Sequence, residues 1–331
     1  MNIYDIAEKC GVSIATVSRV LNNNPNVSAT TRARIMAVIE QENYTPSALA
    51  RSLGNGAAPA PACNAPLSAV GVLCADLTDA RNAAVVAAIE AHLRGTGKSV
   101  LLRGCDHNTE AAALQQLAGN VEAIVYVGPQ ARPEGDDPII ATTNTPILLV
   151  DGHVDAPHVH SVSADVGAAV TECIQQILRR QRRRILLLVG GRTCACAEMV
   201  GAYEDAYAAA GLTVDPELVI AVENTPEQVN TCLKKLLISR VTFDAVLCTD
   251  SVLALSAQKA LQRTGLNLPI IGLSDSLAAR CSSPALTCAD CDSDALCDAV
   301  CAALDALLSG APMENTRIPT HLNERDTFRN A

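Results

Sequence analysis

The side chains best able to do chemistry lie near the start of the 331-residue chain. From Lys9 to Ile39 there are four basic residues (Lys9, Arg19, Arg32 and Arg34) and no acid. A helix over residues 14–22 would carry Ile14, Ala15, Ser18, Arg19 and Asn22 on one outward face. Pushed by its N-terminal end into a DNA major groove, that face sets Ile14 and Ala15 against thymine methyls. Arg19 can then bond O6 and N7 of a guanine with both arms of its guanidinium. Thr16, Ser28, Thr31 and Arg32 are suited to holding phosphates. The bland alternatives are a solvated helix-face arginine for Arg19 and a simple helix cap for Ser28.

A second set of polar residues follows strand-like apolar runs. Asp76 comes after 70–74, Asp151 after 147–150, Thr249 and Asp250 after 245–248, and Ser274 and Asp275 after 270–273. In open α/β sheets, ligands sit beyond the carboxyl ends of strands, where these residues would be. Each could equally cap the helix that follows.

Other groupings offer less. The run Arg179-Arg180-Gln181-Arg182-Arg183-Arg184 reads as an exposed helix C-terminus entering a strand, where the helix dipole favours positive charge. Cys288 and Cys291 with Cys297 and Cys301 have a metal flavour. Yet Cys297 and Cys301, four apart, fall on one face of an Ala/Leu helix, and the fourteen cysteines read as small buried hydrophobes. No Walker loop, GxSxG elbow or HExxH is present, so catalysis is not expected, nor any cofactor.

These residues need elements to position them. Three short helices fit residues 3–10, 14–22 and 29–42. Gly11 takes a left-handed turn after the first, and Ser13 and Ser28 cap the next two. Ala7, Gly11 and Val17 have helix-turn-helix spacing: small at the crossing, bent at the turn, apolar between the helices. After Leu53, the stretch Gly54-Asn55-Gly56-Ala57-Ala58-Pro59-Ala60-Pro61-Ala62 reads as a linker. Beyond it, apolar runs at 70–74, 99–102, 123–127, 147–150, 185–189, 245–248 and 270–273 alternate with Ala-rich helical patterns, implying parallel sheets covered on both faces.

Net charge is -10, which argues against a nucleic-acid partner until it is partitioned. Residues 1–53 hold five basic residues and four acids, so the negative excess belongs to the remainder. A phosphate backbone responds to the face presented to it, not to the whole-chain sum. The start lacks the basic-then-greasy pattern of a secretory leader and no apolar run approaches the ~18 residues of a membrane helix, so a cytoplasmic protein without a membrane partner is expected.

The blocks Ile3-Tyr4-Asp5-Ile6-Ala7, Gly11-Val12-Ser13, Thr16-Val17-Ser18-Arg19-Val20-Leu21-Asn22 and Val27-Ser28-Ala29-Thr30-Thr31-Arg32 closely resemble the headpiece of LacI/GalR-family transcriptional regulators. So does Tyr44-Thr45-Pro46-Ser47-Ala48-Leu49-Ala50-Arg51-Ser52-Leu53. The resemblance implies that Ile3, Ser13 and Ala50 join the DNA-facing set. It also implies that the last block is a hinge helix entering the minor groove, with Leu53 wedged into the central base step. A helix of about seven residues is marginal alone, which suits one that forms on DNA. More weakly, residues 67–326 resemble the family's periplasmic-binding-protein-like core.

The expected architecture is therefore α/β: an all-α helix-turn-helix headpiece over 1–45, a hinge and linker over 46–66, and a core of two parallel-sheet subdomains. The first takes residues 67–160 and 290–316, the second 161–288 and 317–326, with a ligand cleft between. The expected effector contacts are Asp76, Tyr126, Asp151, Glu198, Thr249, Asp250, Ser274 and Asp275. Many relatives have an arginine three residues before the glycine matched by Gly201, and here that position is Glu198. With only five Tyr, two Phe and no Trp, Tyr126 and Tyr203 are the only rings expected near the cleft. Asp76, Asp151, Glu198 and Asp250 together would form an acidic pocket suited to a cation or amine. The reading is a homodimeric regulator, most simply a repressor, that binds a double-stranded, pseudo-palindromic operator and a small-molecule effector: a sugar, nucleoside or amine. A small-molecule receptor, and a regulator whose cleft binds nothing, remain open alternatives.

Overall fold

The structure, a computed structural model, describes residues 9–13, 16, 17, 20, 28–41, 68–106, 108–129, 140, 143–154, 156–191 and 193–329. The chain divides into two units, Met1–Ala65 and Pro66–Ala331.

In the first unit, Gly11 adopts φ +60°, the left-handed turn expected of it. Ser13 Oγ accepts a 3.2 Å bond from the Thr16 amide, and Ser28 Oγ accepts one of 3.3 Å from the Thr31 amide. Both serines therefore cap helix starts, the second opening α1 (Ala29–Gln41). Cys10, Val17, Val20 and Ile35 are buried, so the spacing that placed Val17 in the core reads correctly. Ile3, Ile14, Ala15, Ser18, Arg19, Asn22, Ala50 and Leu53 lie outside the described residues.

The second unit contains two six-stranded sheets. The first is built from β1 (Ala69–Cys74), β2 (Ser99–Gly104), β3 (Ala123–Val127), β4 (Ile147–Val150), β5 (Val159–Ala164) and β11 (Thr316–Ile318). Its order is β11-β5-β4-β3-β1-β2, parallel throughout. The second contains β6 (Ile185–Gly190), β7 (Val219–Val222), β8 (Ala245–Cys248), β9 (Ile270–Gly272), β10 (Thr287–Cys291) and β12 (Thr320–Asn323), ordered β12-β10-β9-β8-β6-β7. Here the last strand departs from the all-parallel expectation, since β12 runs antiparallel to β10.

Runs such as Ala-Ile-Val-Tyr-Val in β3 are apolar throughout because both faces of an inner parallel strand are buried. The helices covering the first sheet include α2 (Ala80–Leu93) and α3 (Glu110–Leu117). The second carries α4 (Val166–Arg179), α5 (Cys194–Ala209), α6 (Pro226–Ile238), α7 (Ser251–Gln262) and the short α8 (Leu277–Cys281). After β10, α9 (Ser293–Ser309) returns to pack on α2, and α10 (Asp326–Arg329) closes against β9 and β10. The chain thus passes between sheets three times: after Ala164, after Cys291, and across Pro319 between β11 and β12.

The arginine run ends α4, as expected. Arg180 stacks 3.7 Å over the Phe328 ring, and Arg184 pairs with Asp215 at 2.9 Å. Cys288 and Cys291 lie three apart on a strand, so they face opposite ways and enter different apolar clusters. Cys297 and Cys301 sit on α9.

Candidate functional site

The carboxyl ends of the two sheets meet, and side chains from both cross the gap. On the first subdomain, Asp79 caps α2 by accepting from the Asn82 amide at 2.9 Å. Arg81 follows in the first turn of that helix. Its guanidinium lies 3.5 Å from Asp151, just beyond β4, and also bonds Asp290 on β10 of the second sheet. Only 14% of the Arg81 side chain, 11% of Asp151 and 8% of Asp290 are exposed, so this three-membered group is nearly dry. Burial opposes the guanidinium's charge, but Asp290 and then Asp151 outweigh it, and the arginine is held more firmly protonated than in water.

Asp151 itself sits at φ +58°, a left-handed conformation uncommon for a non-glycine residue, and its other oxygen accepts from the Ala164 amide at 2.9 Å. Asp290 uses its second oxygen to accept from the Asp275 amide at 2.7 Å. The Asp275 carboxylate is gripped from two sides by Arg325, at 2.8 and 2.7 Å. One chain of charge therefore runs from Asp151 through Arg81 and Asp290 to Asp275 and Arg325.

Asp250 opens α7, accepting from the Val252 and Leu253 amides at 2.8 and 2.9 Å. Burial pushes its pKa up; those two amides pull the other way, and the Asp79 charge adds to the rise. Thr249 is buried and its hydroxyl accepts from the Gly190 amide at 2.9 Å. Ser274 is half-buried in the loop after β9. Asp76 is exposed and organises its own loop, accepting from the Thr78 amide and hydroxyl at 2.7 and 2.6 Å.

Three groups of residues have surroundings other than those the sequence suggests. Tyr126 is fully buried in an apolar cluster, so its ring presents no face to a ligand here. Tyr203 is also fully buried, and its hydroxyl donates to the Ile185 carbonyl at the opposite end of the second sheet. The third is the open acidic pocket. Glu198 pairs with Arg317 beside the Pro319 crossing, Asp151 pairs with Arg81, and Asp76 and Asp250 are bonded within their own loops. Arginines of the chain itself thus neutralise Asp151 and Glu198, while Asp76 and Asp250 are bonded by neutral donors of their own loops.

Arg81, Asp79 and Asp290 were not foreseen. A signal existed for two of them. An arginine in the first turn of a helix opposes the helix dipole and calls for a compensating anion. An aspartate inside the strand Thr-Cys-Ala-Asp-Cys must find a cationic partner once buried.

A cavity of about 610 Å³ lies elsewhere, between edge strand β7 and α6, lined by residues including Ile220, Glu223, Cys232 and Lys235. All its walls belong to the second subdomain, so it is not the gap between the sheets. Among the described residues, no group of three or more His, Cys, Asp or Glu could hold a metal, and no helix is long and apolar enough to cross a membrane.

Residues 2–47 match the family described as bacterial regulatory proteins, lacI family. Residues 68–287 match the periplasmic binding proteins and sugar binding domain of the LacI family. An HTH-type transcriptional regulator of Lachnoclostridium phytofermentans is 31% identical over 339 residues, covering 99% of each chain. The HTH-type transcriptional regulator GalR of Escherichia coli is 27% identical over 292 residues, covering 86% of this chain and 82% of its own. Among solved structures, the Lac repressor bound to ONPG superposes with a TM-score of 0.70 at 24% identity, over 99% of both chains. With a DNA-reading family signature at one end, the binding-protein fold filling the rest and a full-length curated relative, the chain belongs to the LacI family of bacterial DNA-binding transcriptional regulators.

Proposed function

We propose that this regulator acts as a homodimeric repressor, each copy reading half of a pseudo-palindromic operator and responding to a small molecule received where the two sheets meet. The observation that carries the DNA-reading half is the capped helical unit in the acid-free stretch from Lys9 to Ile39. Within it, Arg19 reads a guanine, Ile14 and Ala15 meet thymine methyls, and Ser18 and Asn22 extend that face. Thr16, Ser28, Thr31 and Arg32 fix the unit on phosphates, and Ile3 and Ser13 join the DNA-facing set. Ala50 and Leu53 enter the minor groove, the leucine as wedge. Such a protein works in the cytoplasm and performs no catalysis.

The effector half rests on the charged chain that joins the two sheets. Solved relatives hold cellobiose and ONPG. A sugar here would be held by Asp76, Asp151, Asp250, Asp275 and Ser274 rather than by stacking, because Tyr126 and Tyr203 are both enclosed. Any effector must bind the two subdomain arrangements with different affinity in order to switch them.

Genomic footprinting of the purified full-length protein, with and without a fractionated cell metabolite extract, tests both halves. Protected palindromes whose occupancy changes with one fraction are expected. Protection without dyad symmetry would refute the dimeric reading, and occupancy indifferent to every fraction would refute the effector.

A further inference from the structure

Arg81 stands apart from the other charged residues at the gap between the sheets. It belongs to the first subdomain, through α2, yet it bonds Asp290 near the end of β10 in the second sheet, where the sequence bounds already begin the return to the first subdomain, and it does so while nearly buried. Glu198 with Arg317 also links the subdomains, but both are substantially exposed, and the Cys194 amide bond to the Pro129 carbonyl joins loops only through backbone. An exposed pair contributes little. A dry pair broken on one side leaves an uncompensated buried charge, which is strongly destabilising.

We propose that Arg81 is a built-in occupant of the gap: its guanidinium sits between Asp151 and Asp290 as a tethered ligand and ties the two subdomains together. Three features of the geometry fit the role. The two carboxylates come from different sheets, Asp290 one residue before the chain crosses from β10 towards α9, so the guanidinium bridges the sheets beside one of their covalent connections. Each carboxylate is anchored by a backbone amide, Asp151 by Ala164 and Asp290 by Asp275, so the receiving groups are fixed in place. The cation enters from a helix start, a position with no local benefit to a positive charge, so its partners must come from outside the helix. Two consequences follow. A small molecule that reaches Asp151 and Asp290 must displace Arg81. The chemical class that fits the receiving pair is a planar cation, guanidinium or amidine.

Chemical rescue tests the proposal in the full-length protein. Thermal unfolding midpoints are measured for the wild type, Arg81→Ala and Arg81→Ala/Asp290→Asn while methylguanidinium chloride is titrated at low millimolar levels against matched sodium chloride. The wild type is expected to show no saturable response, because its own guanidinium fills the place. Arg81→Ala should melt several degrees lower and recover saturably, and the double variant should not recover. Absence of a saturable response in Arg81→Ala, or an equal response in the double variant, would overturn the proposal. Should Arg81→Ala not fold, amide hydrogen exchange in Asp290→Asn gives a second reading. Faster exchange in residues 147–151 together with 287–291 supports the tie, and a loss confined to 287–291 refutes it.

Discussion

Asp250 shows how one carboxylate serves two opposing demands. As the cap of α7 it satisfies two orphan amides, and as a half-buried group near the Asp79 charge it resists ionisation. Because its folded pKa lies above the unfolded value, the folded chain binds this proton more tightly. The residue's contribution to stability therefore declines as pH rises from the ordinary carboxylate range through the folded pKa. Asparagine caps as well without a charge, so the melting temperature of Asp250→Asn should gain on that of the wild type as pH climbs from about 4 to 7. A constant gap between the two would contradict this. Asp250→Ala loses the cap and should cost about 1 kcal/mol at about pH 4 and less at about pH 7, where the wild type has lost part of this residue's contribution. Arg19→Ala should weaken binding to a defined operator by about 1–3 kcal/mol without altering the melting profile; an unchanged affinity would remove it from base contact. At this scale the site was half legible. Asp151, Asp250 and Asp275 were reached by the rule that ligands gather beyond strand ends. Arg81 and Asp290 were missed because their partnership spans more than two hundred residues of sequence and only the fold brings them together.

Elements were read more fully where their patterns are strong. The strands β1, β3, β4, β6, β8 and β9 are apolar runs and were visible. The strands β5 and β10 were not clear, because Val-His-Ser-Val-Ser-Ala and Thr-Cys-Ala-Asp-Cys bury polar side chains whose partners lie in other elements: the Ser163 hydroxyl bonds the Gly152 carbonyl and Asp290 bonds Arg81. The packing of β6 against α7 can be tested directly. A Cβ on Gly190 would come within 2.9 Å of both Asp250 Oδ2 and Leu253 Cδ1, atoms held by the cap and by a filled core. Gly190→Ala should destabilise the core by about 1–3 kcal/mol, measured by urea unfolding, as overpacked interiors do. A neutral result would mean that the start of α7 is looser than its hydrogen bonds indicate.

At the scale of the whole molecule, two sheets share one chain that crosses between them three times, and a DNA-reading unit precedes them. The proposed wedge belongs here, since it acts only when two copies meet on one duplex. Leu53→Ala should leave half-site recognition in place and reduce the bend at the operator centre, read from gel mobility of circularly permuted fragments. A bend equal to that of the wild type would eliminate the leucine's role. The Pro319 crossing has a further consequence in time. The edge strands β11 and β12 are separated by that single residue, and each completes a different sheet. During synthesis the two sheets are finished almost together: a ribosome must release the chain through β11 and β12 before either subdomain gains its last strand. The nascent core therefore waits with two open sheet edges, a period when chaperones are most needed.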